Sequence, residues 1–248
     1  MVNAIINGAT LIVTLTEVLR GNSEMSKMFP FITKTWNPLG GECLHKCSYC
    51  WASKMANRYN MKKYTGKPTL IESEMAKTFK QEDFVFVCDM TDLFGEWVRT
   101  GQLMDILGFI RDSPARFLLL TKNPSRYLGF EIPVNCVAGA TIECDMNFQV
   151  NGDAPSPFSR IEAMRKVKAE KMVSVEPIMK FTDRFPYEVV SIAPKFVAVG
   201  YDNYHNGLPE PSLSETEGLI SVCEDFGIQV YRKTLREKIV SGKEGNKP

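Results

Sequence analysis

Thr35-Trp36-Asn37-Pro38-Leu39-Gly40-Gly41-Glu42-Cys43-Leu44-His45-Lys46-Cys47-Ser48-Tyr49-Cys50-Trp51 is the stretch on which the reading of this chain turns. It follows a short apolar, β-prone run from Phe31 to Thr35 and leads into a helical pattern from Ala52 to Tyr64. Three thiols within eight residues cannot share one strand face, but a glycine-containing loop can wrap them about one ion or cluster. Thiolate softness then selects zinc or iron–sulfur.

Downstream, the same order of short apolar run and helical pattern recurs every 25 to 40 residues. Expected strands are Phe84 to Cys88, Phe117 to Leu120, Val134 to Thr141, Met172 to Val175, Phe196 to Val199 and Ile228 to Tyr231. Between them helices are expected at Gly101 to Arg111, Ser159 to Ala169 and Ser214 to Phe226, the last with a capping box at Ser214 and Glu217 and a closing Gly227. Strand-helix alternation builds a parallel sheet, and no Gly-x-Gly-x-x-Gly fingerprint marks a dinucleotide fold. The expected fold is therefore α/β, an incomplete (β/α)6 TIM-like barrel over residues 25–235. Residues 1–24 read as a peripheral extension, with Met25 an alternative start, and 236–248 as a basic tail.

With 248 residues, 44% hydrophobic and 24% charged, the chain buries a core and is not disordered. Net charge is +1, so attraction to a polyanion must come from a local patch. The longest apolar stretch, Ala9 to Leu19, is broken by Thr10, Thr14, Thr16 and Glu17, which excludes a membrane span there, and no secretory signal is evident. A cytoplasmic location follows. Seven cysteines, three clustered and four scattered, suit a metal site in a reducing compartment better than a disulfide framework.

Structural zinc needs four closed ligands, and beyond His45 or a distant residue the chain offers no fourth at the usual spacing. Three thiolates on an iron–sulfur cluster would leave one iron open. Cys43-x3-Cys47-x2-Cys50, with Tyr49 just before the last cysteine, resembles the signature of the radical S-adenosylmethionine (SAM) enzymes. The stretches Thr35-Trp36-Asn37-Pro38, Asp89-Met90-Thr91-Asp92-Leu93-Phe94, Thr121-Lys122-Asn123-Pro124 and Ser174-Val175-Glu176-Pro177 are similar, more narrowly, to a functionally unassigned radical SAM family found in phages, bacteria and archaea and related to spore photoproduct lyase. That resemblance spans residues 30–235. It implies a [4Fe-4S] cluster on Cys43, Cys47 and Cys50, SAM chelated to the fourth iron, and reductive cleavage to methionine and a 5'-deoxyadenosyl radical that abstracts hydrogen. Flavodoxin or ferredoxin would be the reducing partner.

In a barrel, the polar residues ending each strand face the site. The resemblance places Asp89 and Thr91 near the SAM amino group, although the common Gly-Gly-Glu form is missing. Thr141 with Glu143 and Ser174 with Glu176 end the next strands. Buried carboxylates need partners, so each glutamate meets either ribose or substrate, or an ion pair with a residue such as Lys122. After the sixth strand, Gly200 would admit adenine and Tyr201 would stack on it, or the segment through His205 is a plain surface turn. Cys88 and Cys144 are either buried structural thiols or hydrogen-atom donors of the kind the lyase-type relatives use.

Residues 25–80 carry ten Lys or Arg against three Asp or Glu. This local excess suits a nucleic acid or nucleotide substrate, or is an ordinary solvated face. Two other classes stand beside the radical SAM enzyme. One is a zinc-binding module with a structural three-cysteine site and a basic partner-binding face; the other is a metal-free barrel hydrolase using Glu143 and Glu176.

Overall fold

The structure is a computed structural model and describes residues 4–6, 9–11 and 28–236. It divides into two compact units, residues 1–32 and 33–248. The first holds an antiparallel pair, β1 (Ala4–Ile6) and β2 (Ala9–Leu11), with Ala4 opposite Leu11, and a turn in which the Ile32 amide donates to the Phe29 carbonyl. Most of the expected extension lies outside the described residues, as do residues 237–248 of the tail.

The second unit is an α/β fold on one seven-stranded parallel sheet. The chain lays down β3 (Lys34–Trp36), a small antiparallel pair β4 (Leu39–Gly40) and β5 (Thr69–Leu70), then β6 (Phe84–Val87), β7 (Arg116–Thr121), β8 (Cys136–Thr141), β9 (Glu170–Val175), β10 (Phe196–Val199) and β11 (Gln229–Arg232). In the large sheet the spatial order is β3-β6-β7-β8-β9-β10-β11, the order of the chain. A doubly wound sheet reverses direction at a switch point; this one never does. Right-handed crossovers that all run one way leave their helices on one face, as in a TIM-like barrel that does not close.

Helices α1 (Trp51–Arg58) and α2 (Glu72–Met75) occupy the first crossover, followed by α3 (Thr100–Asp112), α4 (Pro157–Lys166), α5 (Phe185–Ser191) and α6 (Leu213–Asp225). A 3-10 turn, Pro124–Gly129, replaces a full helix between β7 and β8. The strands β7 to β10 are almost continuously apolar and buried, as a parallel sheet covered on both faces requires. Trp36 anchors the β3 edge, meeting Phe79 edge-on and Phe109 and Phe117 at a tilt and donating its indole N–H to the Glu74 carbonyl at 2.9 Å.

Several boundaries differ from expectation. The first strand starts three residues later than Phe31, and the first helix ends at Arg58, the chain turning through Asn60 before a 3-10 turn at Lys62–Tyr64. Val134 is fully exposed and β8 begins at Cys136. The sequence Ser212-Leu213-Ser214-Glu215-Thr216-Glu217 contains two overlapping capping boxes, and the structure uses Ser212 with Glu215. That register turns Thr216, Leu219, Ile220 and Cys223 inward, so burial selects the box. Gly227 closes the helix at φ 73° as expected. Helix α5 has no counterpart in the sequence reading.

Candidate active site

The C-terminal ends of the parallel strands form one edge of the sheet, and the three-cysteine loop leaves that edge between β4 and α1. Cys43, Cys47 and Cys50 are half-buried, whereas the alternate residues Leu44, Lys46 and Ser48 are exposed. Cys50 also starts α1, its Sγ accepting from the Ser53 amide at 3.4 Å. His45 and Tyr49, the residues between the thiols, are buried and tie the loop down from below.

The first tether runs through His45. Its Nε2 lies 2.8 Å from Asp92 Oδ2, and its ring meets Trp97 edge-on at 4.8 Å between centroids. Asp92 also accepts from Thr121 Oγ1 at 2.7 Å, from the Lys122 amide at 2.9 Å and from the Phe94 amide at 2.9 Å. Burial alone would raise this carboxyl. The His45 bond and charge, with the amide and hydroxyl donors, outweigh it and hold Asp92 below its usual value.

The second tether runs through Tyr49, whose hydroxyl reaches Glu143 Oε1 at 2.5 Å and Asn151 Oδ1 at 2.8 Å. Glu143, fully buried just past β8, is paired with the Lys122 ammonium and, at 2.7 Å, with Arg160 Nη1 from α4. Burial pushes this carboxyl up, but the Arg160 and Lys122 charges, with the Lys122 and Tyr49 bonds, hold it down to about 2. Arg160 spends a second bond on the Thr141 carbonyl at 2.5 Å, while its Nε and Nη2 have no partner among the described residues. Thr141 thus contributes through its backbone, and Glu143 is the centre of an ion-pair cluster.

Segment 148–153, between β8 and α4, completes the cradle. The Ser48 amide donates to Val150 O at 2.9 Å and the Asp153 amide to His45 O at 2.7 Å. Cys47 Sγ lies 3.5 Å from Asn151 O. Gly152 has φ 57°, and a β-carbon there would lie 2.2 Å from the His45 carbonyl oxygen. Only glycine fits this approach.

Asp89 and Thr91 lie just past β6, Asp89 half-buried and Thr91 buried. Asp89 Oδ1 accepts from Asn37 Nδ2 at 2.6 Å, and burial raises its carboxyl. Cys88 is buried with a left-handed backbone, φ 58°, its amide bonded to Trp36 O at 2.8 Å. Cys144 is buried with Sγ 3.1 Å from Met146 O. Burial pushes both thiols up, Cys144 to about 12.

At the far strands the placement is different. Ser174 is buried within β9. Glu176 pairs with Lys233 at the end of β11, beneath Gly200, and burial raises its carboxyl in spite of the lysine. Tyr201 is 1% exposed, and its hydroxyl meets Thr216 Oγ1 of α6 at 2.8 Å, so the ring packs into the helix layer rather than standing at the mouth. His205 is exposed in the following loop, whose Asn206 accepts from Lys54 of α1.

The sequence reading gave no role to Arg160, Asn151, Gly152 or Lys233, quoted Asn37 and Asp92 only within the stretches 35–38 and 89–94, and weighed His45 as a zinc ligand. A tyrosine paired with a glutamate far along the chain leaves no local pattern. An arginine on the apolar side of α4, between Pro157 and Ile161, was the one available signal.

Cys43, Cys47 and Cys50 are the residues of this loop that could hold a metal or cluster, and none of them is in a disulfide. Burial, with the Asp92 charge adding to it, pushes the Cys43 thiol up to about 12, and burial likewise raises Cys47. Thiols so placed keep their protons near neutral pH until a metal displaces them. At Cys47 burial is the largest influence; the Lys122 and Arg160 charges favour the thiolate, the Glu143 and Cys50 charges oppose it, and burial prevails. Among the described residues, no three His, Cys, Asp or Glu side chains gather about a point that would hold one ion.

Residues 27–234 match the model of a family described as "Protein of unknown function (DUF5131)". No curated protein matches the chain. Two solved structures of SuiB from Streptococcus suis are similar to it. The one described as bound to S-adenosylmethionine has 13% identity and a TM-score of 0.48 over 84% of this chain and 48% of that one. The other has 9% identity and a TM-score of 0.47 over 83% and 50%. The chain spans about half the length of these structures. No helix among the described residues is long and apolar enough to cross a membrane.

Proposed function

This chain is a member of the DUF5131 family, which carries no assigned activity, and from that starting point we propose that it is a radical SAM enzyme. The observation that supports this reading is the position of Cys43-x3-Cys47-x2-Cys50 on the first loop at the C-terminal edge of a singly wound parallel sheet. TIM-like barrels build their active sites at that edge. When bound, a [4Fe-4S] cluster supplies an iron with a free coordination position and one electron for the reductive cleavage of SAM.

Cys43, Cys47 and Cys50 would hold the cluster. His45 and Tyr49 orient the loop through Asp92 and Glu143, so the thiols are arranged before any ligand arrives. Asn37 fixes the Asp89 carboxylate at the end of β6, where it would accept from the SAM amino group. Lys122 and Arg160 offset negative charge beneath Cys47. A single zinc ion would instead need its donors converged at about 2.3 Å from one point.

Anaerobic reconstitution with iron and sulfide, followed by dithionite and SAM, tests the reading. 5'-Deoxyadenosine and methionine are expected from the wild-type chain and not from the Cys43→Ala/Cys47→Ala/Cys50→Ala variant. A folded protein that takes up one zinc and no iron, and leaves SAM intact, would establish the zinc-module alternative instead.

A further inference from the structure

Two exposed tyrosines stand on elements that meet at the edge carrying the cysteine loop. Tyr59 closes α1 and is 64% exposed, with the Arg58 guanidinium 5.6 Å from its ring centroid. Tyr204, 58% exposed, lies on the loop after β10. Asp202 builds that loop, accepting from the Tyr204 amide at 3.0 Å and from Asn206 Nδ2 at 2.8 Å, and His205 turns it with φ 52°. Asn206 in turn accepts from Lys54 of α1, so the loop after the sixth strand of the sheet is tied to the helix that follows the first. The carboxylates of the loop are engaged within the protein, Asp202 by these bonds and Glu210 by Arg236 at 2.8 Å.

Around Tyr59 the surface is cationic. From Cys43 to Ile71 the chain contains six Lys or Arg, all exposed, and no acidic residue. Among the described residues no ion pair forms at Lys54, Arg58, Lys62 or Lys67. The turn carrying Lys62 and Lys67 folds back against the entry to the cysteine loop, where the Gly41 amide donates to Lys63 O at 2.8 Å and the Glu42 amide to Gly66 O at 3.0 Å. Lysine is depleted at protein interfaces, whereas lysine and arginine alike neutralise phosphates. Charge by itself selects no more than a polyanion; the two open rings narrow the class.

We infer that α1, the turn 62–67 and the loop 203–206 bind single-stranded nucleic acid, its sugar–phosphate backbone on Arg58, Lys62 and Lys67 and its bases stacked on Tyr59 and Tyr204. An exposed aromatic ring accepts the face of any base, and an unpaired strand offers those faces beside its phosphates. A duplex keeps its bases stacked inside, and an acidic polypeptide has none. That the strand is also the substrate rests on the radical SAM reading, for which it names the class; its binding does not.

Fluorescence anisotropy of labelled single-stranded DNA and RNA oligonucleotides of mixed sequence, titrated with the full chain, tests the inference. Binding by the wild type is expected to weaken with salt, the logarithm of affinity falling by about 0.7 per phosphate neutralised for each unit of log salt. Arg58→Glu/Lys62→Glu/Lys67→Glu should lose about tenfold or more in affinity and about two units of that slope. Tyr59→Ala/Tyr204→Ala should lose about tenfold in affinity with the slope unchanged, which separates stacking from charge. No binding at roughly 0.05 M salt, or equal binding by the wild type and the charge variant, overturns the inference. So does wild-type affinity in the tyrosine variant, or equal affinity for polyglutamate of matched charge, either of which leaves only a charged surface. SAM cleavage driven by dithionite is measured on the same reconstituted protein. Oligonucleotide binding without cleavage overturns the radical SAM reading and leaves the strand site standing; cleavage without binding does the reverse.

Discussion

The edge of the sheet over β3, β6, β7 and β8 and the edge over β9, β10 and β11 carry similar residue types and are held in opposite ways. On the first, a buried carboxylate meets two cations, a phenol and, through it, an amide; a second meets a histidine, a hydroxyl and two backbone amides. On the second, Glu176 and Lys233 form one ion pair whose side chains are 17% and 15% exposed. The cysteine loop is thus tied from below by two buried clusters, one around Asp92 and one around Glu143. The far edge is held by two partly exposed ion pairs, Glu176 with Lys233 and Arg236 with Glu210, and Tyr201, against which Arg236 lies, belongs to the core. The contrast is one of burial: His45, Tyr49, Asp92 and Glu143 beneath the thiols are shut off from water, whereas both ion pairs at the far edge are partly exposed.

The sharpest way to break this contrast is Glu143→Gln. Removing a buried charge leaves Lys122 and Arg160 uncompensated, and a loss of about 3–5 kcal/mol is expected by chemical denaturation. The same carboxylate sets an acid limit. Its value in the fold, about 2, lies below the ordinary 4.5, so its contribution is complete above pH 4.5 and disappears as pH falls toward 2. That contribution is on the order of 3 kcal/mol. Denaturation midpoints of wild type and Glu143→Gln should therefore converge across that window. Glu176 has the opposite sign: its raised value means that stability from this group declines as pH rises past the ordinary carboxylate range.

Asp92→Asn weakens the other tether by about 1–3 kcal/mol, since His45 and Thr121 lose a charged acceptor. Amide exchange over residues 43–50 should quicken in this variant even where global stability suffices to keep the protein folded. Gly152→Ala forces a β-carbon against the His45 carbonyl and demands a left-handed alanine, at a cost of more than about 1 kcal/mol. Iron incorporated per chain on reconstitution is expected to fall with it. Glu176→Gln is the smallest perturbation, about 1 kcal/mol or less, because the pair is partly solvated. A Glu176→Gln variant as unstable as Glu143→Gln would erase the distinction between the two edges.

The strand-helix alternation, the open barrel and the three-cysteine loop were all legible in the residues, because each rests on local information: β-prone apolar runs, helical periodicity, and thiols spaced three and two residues apart. Helix α5 was not, since Phe185-Pro186-Tyr187-Glu188-Val189-Val190-Ser191 is short, opens with a proline and carries two β-branched valines; packing of Phe185, Pro186 and Val189 makes it a helix. The capping register of α6 was ambiguous between two boxes until burial chose one. For the site, the sequence by itself identified the thiols, Tyr49 and the strand-end carboxylates, and left ion pair against ligand contact open for Glu143 and Glu176. Only the tertiary structure joined Tyr49 to Glu143 across 94 residues, His45 to Asp92 across 47 and Glu176 to Lys233 across 57. Such pairs carry no periodicity and no fixed spacing. They exist because a parallel sheet brings its strand ends to one edge, where a charge removed from water must find its partner wherever in the chain that partner lies.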